Sequence, residues 1–164
     1  MNEAELSTVP LEARPYQGTT AGVVTRIVAN TVDGLVVTAA LIGGYVCYAA
    51  VLFVVAPRDF RAPAPSLLVL ALVYFWFLVV YLTAAWWIGG RTLGDHVMGI
   101  RVVGRGAGRV PILRAFARAV LCAVFPVGLF WCAIDARRRS VQDRMLRTHV
   151  VYDWRSRSGG ASLP

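Results

Sequence analysis

The sequence predicts an all-α membrane protein. It should have two full transmembrane helices, a short proline-broken helical hairpin, and a small β or irregular cap on the cytoplasmic side. Three observations lead there. Hydrophobic residues make up 57% of the 164-residue chain. Two long runs, Gly34 to Val55 and Ser66 to Ile88, carry no charge. The basic residues gather on the segments flanking those runs instead of spreading evenly.

A soluble domain of this size does not carry so much apolar residue, so lipid is the expected solvent. The formal net charge is +8, and all 17 basic residues are arginine. Because the arginines border apolar segments, they follow the positive-inside pattern, and nucleic acid is not an expected partner. The bilayer and its anionic lipids are. Cys47, Cys122 and Cys132 all fall in apolar stretches and match neither a zinc motif nor a disulfide framework. No signal peptide is evident: Glu3, Glu5, Glu12, Pro10 and Pro15 occupy the region where a basic start and a short apolar core would lie.

Residues 1–20 are polar and patternless, which predicts a disordered cytoplasmic tail. The first helix is expected over Gly22 to Val55. Its charge-free part alone would span roughly 33 Å, enough for a hydrocarbon core of about 30 Å. Arg26, Asn30 and Asp33 therefore lie at the entry to the membrane, on one helical face. Pro57 ends this helix, and the nearly neutral loop 56–65 suits the external side. The second span, Ser66 to Ile88, collects Tyr81, Trp86 and Trp87 near its end, where an aromatic belt would sit.

Gly90 to Pro111 is not a span. Ile100 to Val103 has strand character, and glycine-rich 104–108 lacks the lysine and hydroxyl of a phosphate loop, so it reads as a turn. The apolar segment Ala119 to Ile134 has only 16 residues and is interrupted by Pro126 and Gly128. A full crossing would put the arginine-rich tail outside. A re-entrant hairpin keeps every arginine except Arg58 and Arg61 on the inner side, and three full spans is the alternative. Ser140 to Asp143 resembles a helix start. Thr148 to Tyr152 reads as a strand that should pair with Ile100 to Val103. Residues 154–164 are expected to be a second disordered tail.

The ordered stretch, 21–153, resembles the RDD family of small bacterial membrane proteins. Arg26 and Asp33, with Ala29 between, match the family's arginine and first aspartate. Gly90-Arg-Thr-Leu-Gly94 and Gly99-Ile-Arg-Val-Val103 match its central elements, and Arg118 its later arginine. Gln142-Asp143-Arg144 through Val151 match its closing pattern, which makes Asp143 the second aspartate. Asp95 departs from the pattern, since a basic residue is usual there. The resemblance implies a multi-pass protein of the bacterial plasma (inner) membrane, and the arginine asymmetry puts its amino terminus on the cytoplasmic side. Some members are linked to sodium/proton antiport, while others accompany envelope or lipid-transport machinery. Fold-level likeness does not choose between them.

Arg26, Asn30, Asp33, Arg118 and Asp143 form the candidate polar network, either structural or an ion path. Arg26 and Asp33 lie about 10 Å apart along their helix. They are therefore expected to reach other segments: Asp33 to Arg118, and Arg26 to Asp143 or Asp135. Beyond Asp33, only Thr38, Tyr45, Tyr48, Tyr74, Tyr81 and Thr83 offer polarity along the spans, which favours the structural reading. Arg137, Arg138, Arg139, Arg144 and Arg147 form a basic collar that suits topology, anionic lipid or a partner. Asp95, His96, Asp135 and His149 lack close ligand spacing, and no nucleophile sits in a recognisable catalytic setting. No metal, cofactor or enzymatic activity is expected. The sequence reads as an accessory or scaffold subunit of a larger membrane complex, with other membrane subunits or further copies as partners. An oligomeric cation/proton antiporter is the alternative.

Overall fold

The computed structural model describes residues 15, 18–104, 110–125, 140–146 and 148–153. Its elements, in chain order, are α1 (Val23–Val55), α2 (Leu67–Ile88), α3 (Leu93–Val97), β1 (Ile100–Val103), α4 (Ile112–Val124), α5 (Val141–Leu146) and β2 (His149–Tyr152).

Both long helices are long and apolar enough to cross a membrane. In their most apolar stretches only 6% of α1 and 11% of α2 is buried, so neither is the core helix of a soluble domain. The surface they expose is the kind that lipid solvates. Polar groups on them are satisfied locally: the hydroxyls of Thr31, Thr38 and Thr83 donate to Ile27 O, Gly34 O and Val79 O, one turn back. Ser66 caps α2 by accepting from Val69 N. In the connecting loop Tyr45 Oη donates to Pro63 O at 2.8 Å, and Phe60 meets Phe53 edge-on.

The buried residues of α1 are Arg26, Ala29, Asp33 and Val37, a single stripe at helical spacing in its first half. Those of α2 are Val79, Leu82 and Trp86, in its second half. The core therefore sits at one end of the molecule, where α4 packs chiefly against α2 through Ala115 and Ala119. At 13 residues, or about 20 Å, α4 is too short to cross a bilayer. It stops at Phe125, just before Pro126. The returning part of the expected hairpin, including Asp135, lies outside the described residues.

The chain leaves α2 through Gly90, at φ +69°, and enters α3 at Thr92. Thr92 and Asp95 form a reciprocal capping box, a helix start the sequence reading missed. Gly94 lies against α1 so closely that a Cβ there would fall 2.0 Å from Ala29 O. Gly99, at φ +63°, then turns the chain into β1.

β1 pairs with β2 antiparallel, with Val102 opposite Val150, and the two strands bury Ile100, Val102 and Val150. Residues just before α1 run along the other edge of β2: Gly18 N donates to Tyr152 O, Tyr152 N to Thr19 O, and Ala21 N to Val150 O. The Tyr152 hydroxyl lies 2.8 Å from Thr25 Oγ1, so the strand pair is tied directly to the first turn of α1.

Candidate functional site

Three segments far apart in sequence converge on one carboxylate. Ser140 opens α5 as a capping box: its Oγ accepts from Asp143 N at 3.2 Å, while Asp143 Oδ2 accepts from Ser140 N at 3.3 Å. This fixes the Asp143 side chain. Its Oδ2 accepts from Arg26 Nη1 of α1, and its Oδ1 from Arg118 Nη1 of α4. Thr148 joins them, accepting from Arg118 Nη1 at 2.7 Å and standing 3.3 Å from Asp143 Oδ1. All four side chains are buried. The Arg118 guanidinium also lies over the Trp86 ring, 5.0 Å from its centroid, a cation–π contact away from water.

Burial opposes charge on Asp143, but the guanidiniums of Arg118 and Arg26, with their hydrogen bonds, outweigh it and hold its carboxyl below the ordinary range. Two arginines share this one aspartate. Among the described residues, a second arginine group is Arg91 with Arg101, which both reach Asp153, at 2.6 and 3.6 Å, on the flank of the strand pair.

Asp33 belongs to a different knot. Its Oδ2 accepts from Thr92 Oγ1 at 2.6 Å, and its Oδ1 from Gly94 N and Tyr81 Oη, both at 2.8 Å. Tyr81 Oη in turn accepts from Leu93 N. The expected pairing of Asp33 with Arg118 is therefore not made. The close seat of α3 on α1 brings a hydroxyl and an amide to Asp33, while Arg118 is held by Asp143 and Thr148.

Asp95 stands beside both knots. Its Oδ2 accepts from Trp86 Nε1 at 3.0 Å and Thr92 N at 3.1 Å. Burial is the main cause that pushes its carboxyl up; the Trp86 and Thr92 hydrogen bonds oppose this and nearby Asp33 adds to it. Asn30 does not join the ion pairs. It lines a cavity of about 20 Å³ together with Arg26, Trp86, Asp95, Arg118 and Cys122.

Of the expected basic collar, Arg144 is exposed on α5, and Arg137, Arg138, Arg139 and Arg147 lie outside the described residues. The sequence reading missed Thr92, Tyr81, Trp86 and Thr148 as members of the network. Thr92 was legible: threonine three residues before an acid is the capping-box pattern that Ser140 and Asp143 repeat.

No curated protein and no solved structure gives a significant match to this chain. The RDD family model matches residues 20–147, a stretch that contains Arg26, Asp33, Arg118 and Asp143. That match covers most of the chain and, with two helices apolar enough to span a bilayer, makes this a membrane protein that belongs to the RDD family.

Proposed function

We propose that the protein is a non-catalytic subunit of a larger assembly in the bacterial inner membrane, and that its buried charges hold its own parts together. The observation that carries this reading is the sharing of Asp143 between Arg26 and Arg118, with all three side chains buried. A buried carboxylate with two guanidiniums is costly to separate, which suits a fastening better than a moving ion path. Asp33 likewise has its oxygens taken by Thr92, Gly94 and Tyr81.

In this reading the amino terminus and the strand pair face the cytoplasm, α1 and α2 both cross, and α4 starts a re-entrant hairpin. The supporting pattern is charge: Arg26, Arg91, Arg101 and Arg118 cluster where the strand pair docks, while Arg58 and Arg61 lie in the loop at the opposite end. The apolar sides of α1 and α2 then remain for lipid and for other subunits.

Purification of the tagged protein from its native membrane in mild detergent tests the proposal. One membrane protein recovered with it in fixed stoichiometry is expected, and a solitary monomer or homo-oligomer overturns it. The antiporter reading makes a separate demand. Sodium-dependent proton flux in proteoliposomes, abolished by Asp33→Asn, would replace the accessory role with transport.

A further inference from the structure

The cavity between α1, α2, α4 and the strand pair has a composition that the ion pairs do not explain. Arg26, Asn30, Trp86, Asp95, Arg118 and Cys122 line it, together with Ile100, Val102 and Val150 of the strands. Its volume, about 20 Å³, holds one water molecule but no organic ligand.

A second observation comes from the hydrogen bonds. Arg118 spends its Nη1 on Asp143 and Thr148, but its buried Nε finds no hydrogen-bond partner among the described residues. An unsatisfied guanidinium N–H away from solvent is expensive, and native proteins rarely leave one. Among the other lining residues, Asp95 uses Oδ2 for Trp86 and Thr92, and Asn30 carries an amide. Residues with donors and acceptors therefore line one water-sized space.

We infer that this cavity is a binding site for a single ordered water that accepts from Arg118 Nε and donates to Asp95 and Asn30. Water fits where an ion does not. A cation would meet two guanidiniums, and an anion would meet the Asp95 carboxyl. A water here joins the two polar knots into one: Tyr81, Asp33, Thr92 and Asp95 on one side, Arg118, Asp143, Thr148 and Arg26 on the other. The site does not depend on the accessory-subunit reading, because it concerns only how the chain satisfies its own buried groups.

The test is solution NMR on protein labelled with ¹⁵N-arginine in detergent micelles. The Arg118 Nε–H resonance is assigned by its loss in Arg118→Lys or, where that variant does not fold, by its shift in Cys122→Ala. A rotating-frame cross-peak to water, opposite in sign to chemical exchange, is expected at this N–H. It should be lost in Cys122→Leu, or in Cys122→Val where leucine does not fold, since either side chain takes the space. Absence of the cross-peak in the wild type overturns the proposal, and so does its survival in the filled variant. A saturable shift of the same resonance on chloride titration, with no water cross-peak, assigns the cavity to an anion and also overturns it.

Discussion

The two ends of the long helices are built on different principles. At the end where the strand pair docks, α1 buries Arg26, Ala29, Asp33 and Val37, and its backbone at Ala29 touches Gly94 of α3. At the other end, Gly43 and Gly44 have nothing among the described residues within 4 Å of where a Cβ would stand, and Tyr45 meets Pro63 and Phe53 meets Phe60. One end is a packed polar joint, and the other is two helices in apolar solvent. Without water to drive apolar groups together, helices in lipid gain little by hiding leucine, whereas a buried charge has no substitute for its partner. Cohesion therefore concentrates where the charges are.

The strongest way to break this contrast is at Asp143. Asp143→Asn keeps the shape but removes the carboxylate charge that Arg26 and Arg118 share at this joint. A loss of about 3–5 kcal/mol is expected, as for other buried pairs stripped of one partner. Thermal unfolding in mild detergent measures it, and a loss below about 1 kcal/mol, the scale of exposed pairs, would mean that solvent reaches the joint.

Gly94→Ala comes next. The added methyl meets the Ala29 carbonyl, which is backbone and cannot swing aside. Separation of α3 from α1 by such overpacking should cost about 1–3 kcal/mol. It should also loosen the Asp33 hydrogen bonds from Thr92 and Gly94. Faster amide exchange at Gly94 in the variant would report that loosening directly.

How far these two ends were legible in the sequence follows from the same contrast. The spans could be read because charge-free runs are local patterns. The meeting of Arg26 with Asp143, 117 positions apart, was reachable only because both are charges that membrane burial obliges to pair. Asp33 was harder. Its partners are a threonine hydroxyl, a glycine amide and a tyrosine hydroxyl, groups common in any chain, and the close seat of Gly94 on α1 puts the first two in place. Charge-pairing logic assigned it Arg118, because that logic counts formal charges and overlooks neutral donors. Trp86 looked like belt residue from its position alone, yet it is buried, donates to Asp95 and carries Arg118 on its ring.

The packed end should also answer to pH, with opposite signs at two of its acids, Asp143 and Asp95. Asp143 lies below the ordinary carboxylate range, so the native state releases its proton more readily than the unfolded chain. Its contribution is present above the unfolded value, about 3.9, and is lost as pH falls through the lowered native one. Asp95 lies above that range, so the native state holds its proton more tightly. Its contribution is full below about 3.9 and is lost as pH rises through the raised native value. Asp95→Asn removes only the second effect. Relative to wild type, the variant should therefore gain stability steadily as pH rises from 4 toward neutral, measured as the difference in unfolding free energy. A constant difference across that range would show that Asp95 titrates as it does in the unfolded chain.

The smallest effect belongs to the open end. Gly43 sits inside α1 with free space around it, so Gly43→Ala adds a methyl that touches nothing among the described residues and gives a better helix former. An isolated, solvated helix would gain up to about 1 kcal/mol from that exchange. The contrast between the two ends then becomes a difference in sign: alanine destabilises at Gly94 and is neutral or stabilising at Gly43. The comparison is informative only when made on the purified single chain and again in native membranes. Stability retained in detergent but lost in the membrane would mean that another helix approaches Gly43 as closely as α1 approaches Gly94, because a small residue matters only where a backbone comes near. Equal behaviour in both leaves lipid as the neighbour of that face and confines close packing to the end that holds Asp143.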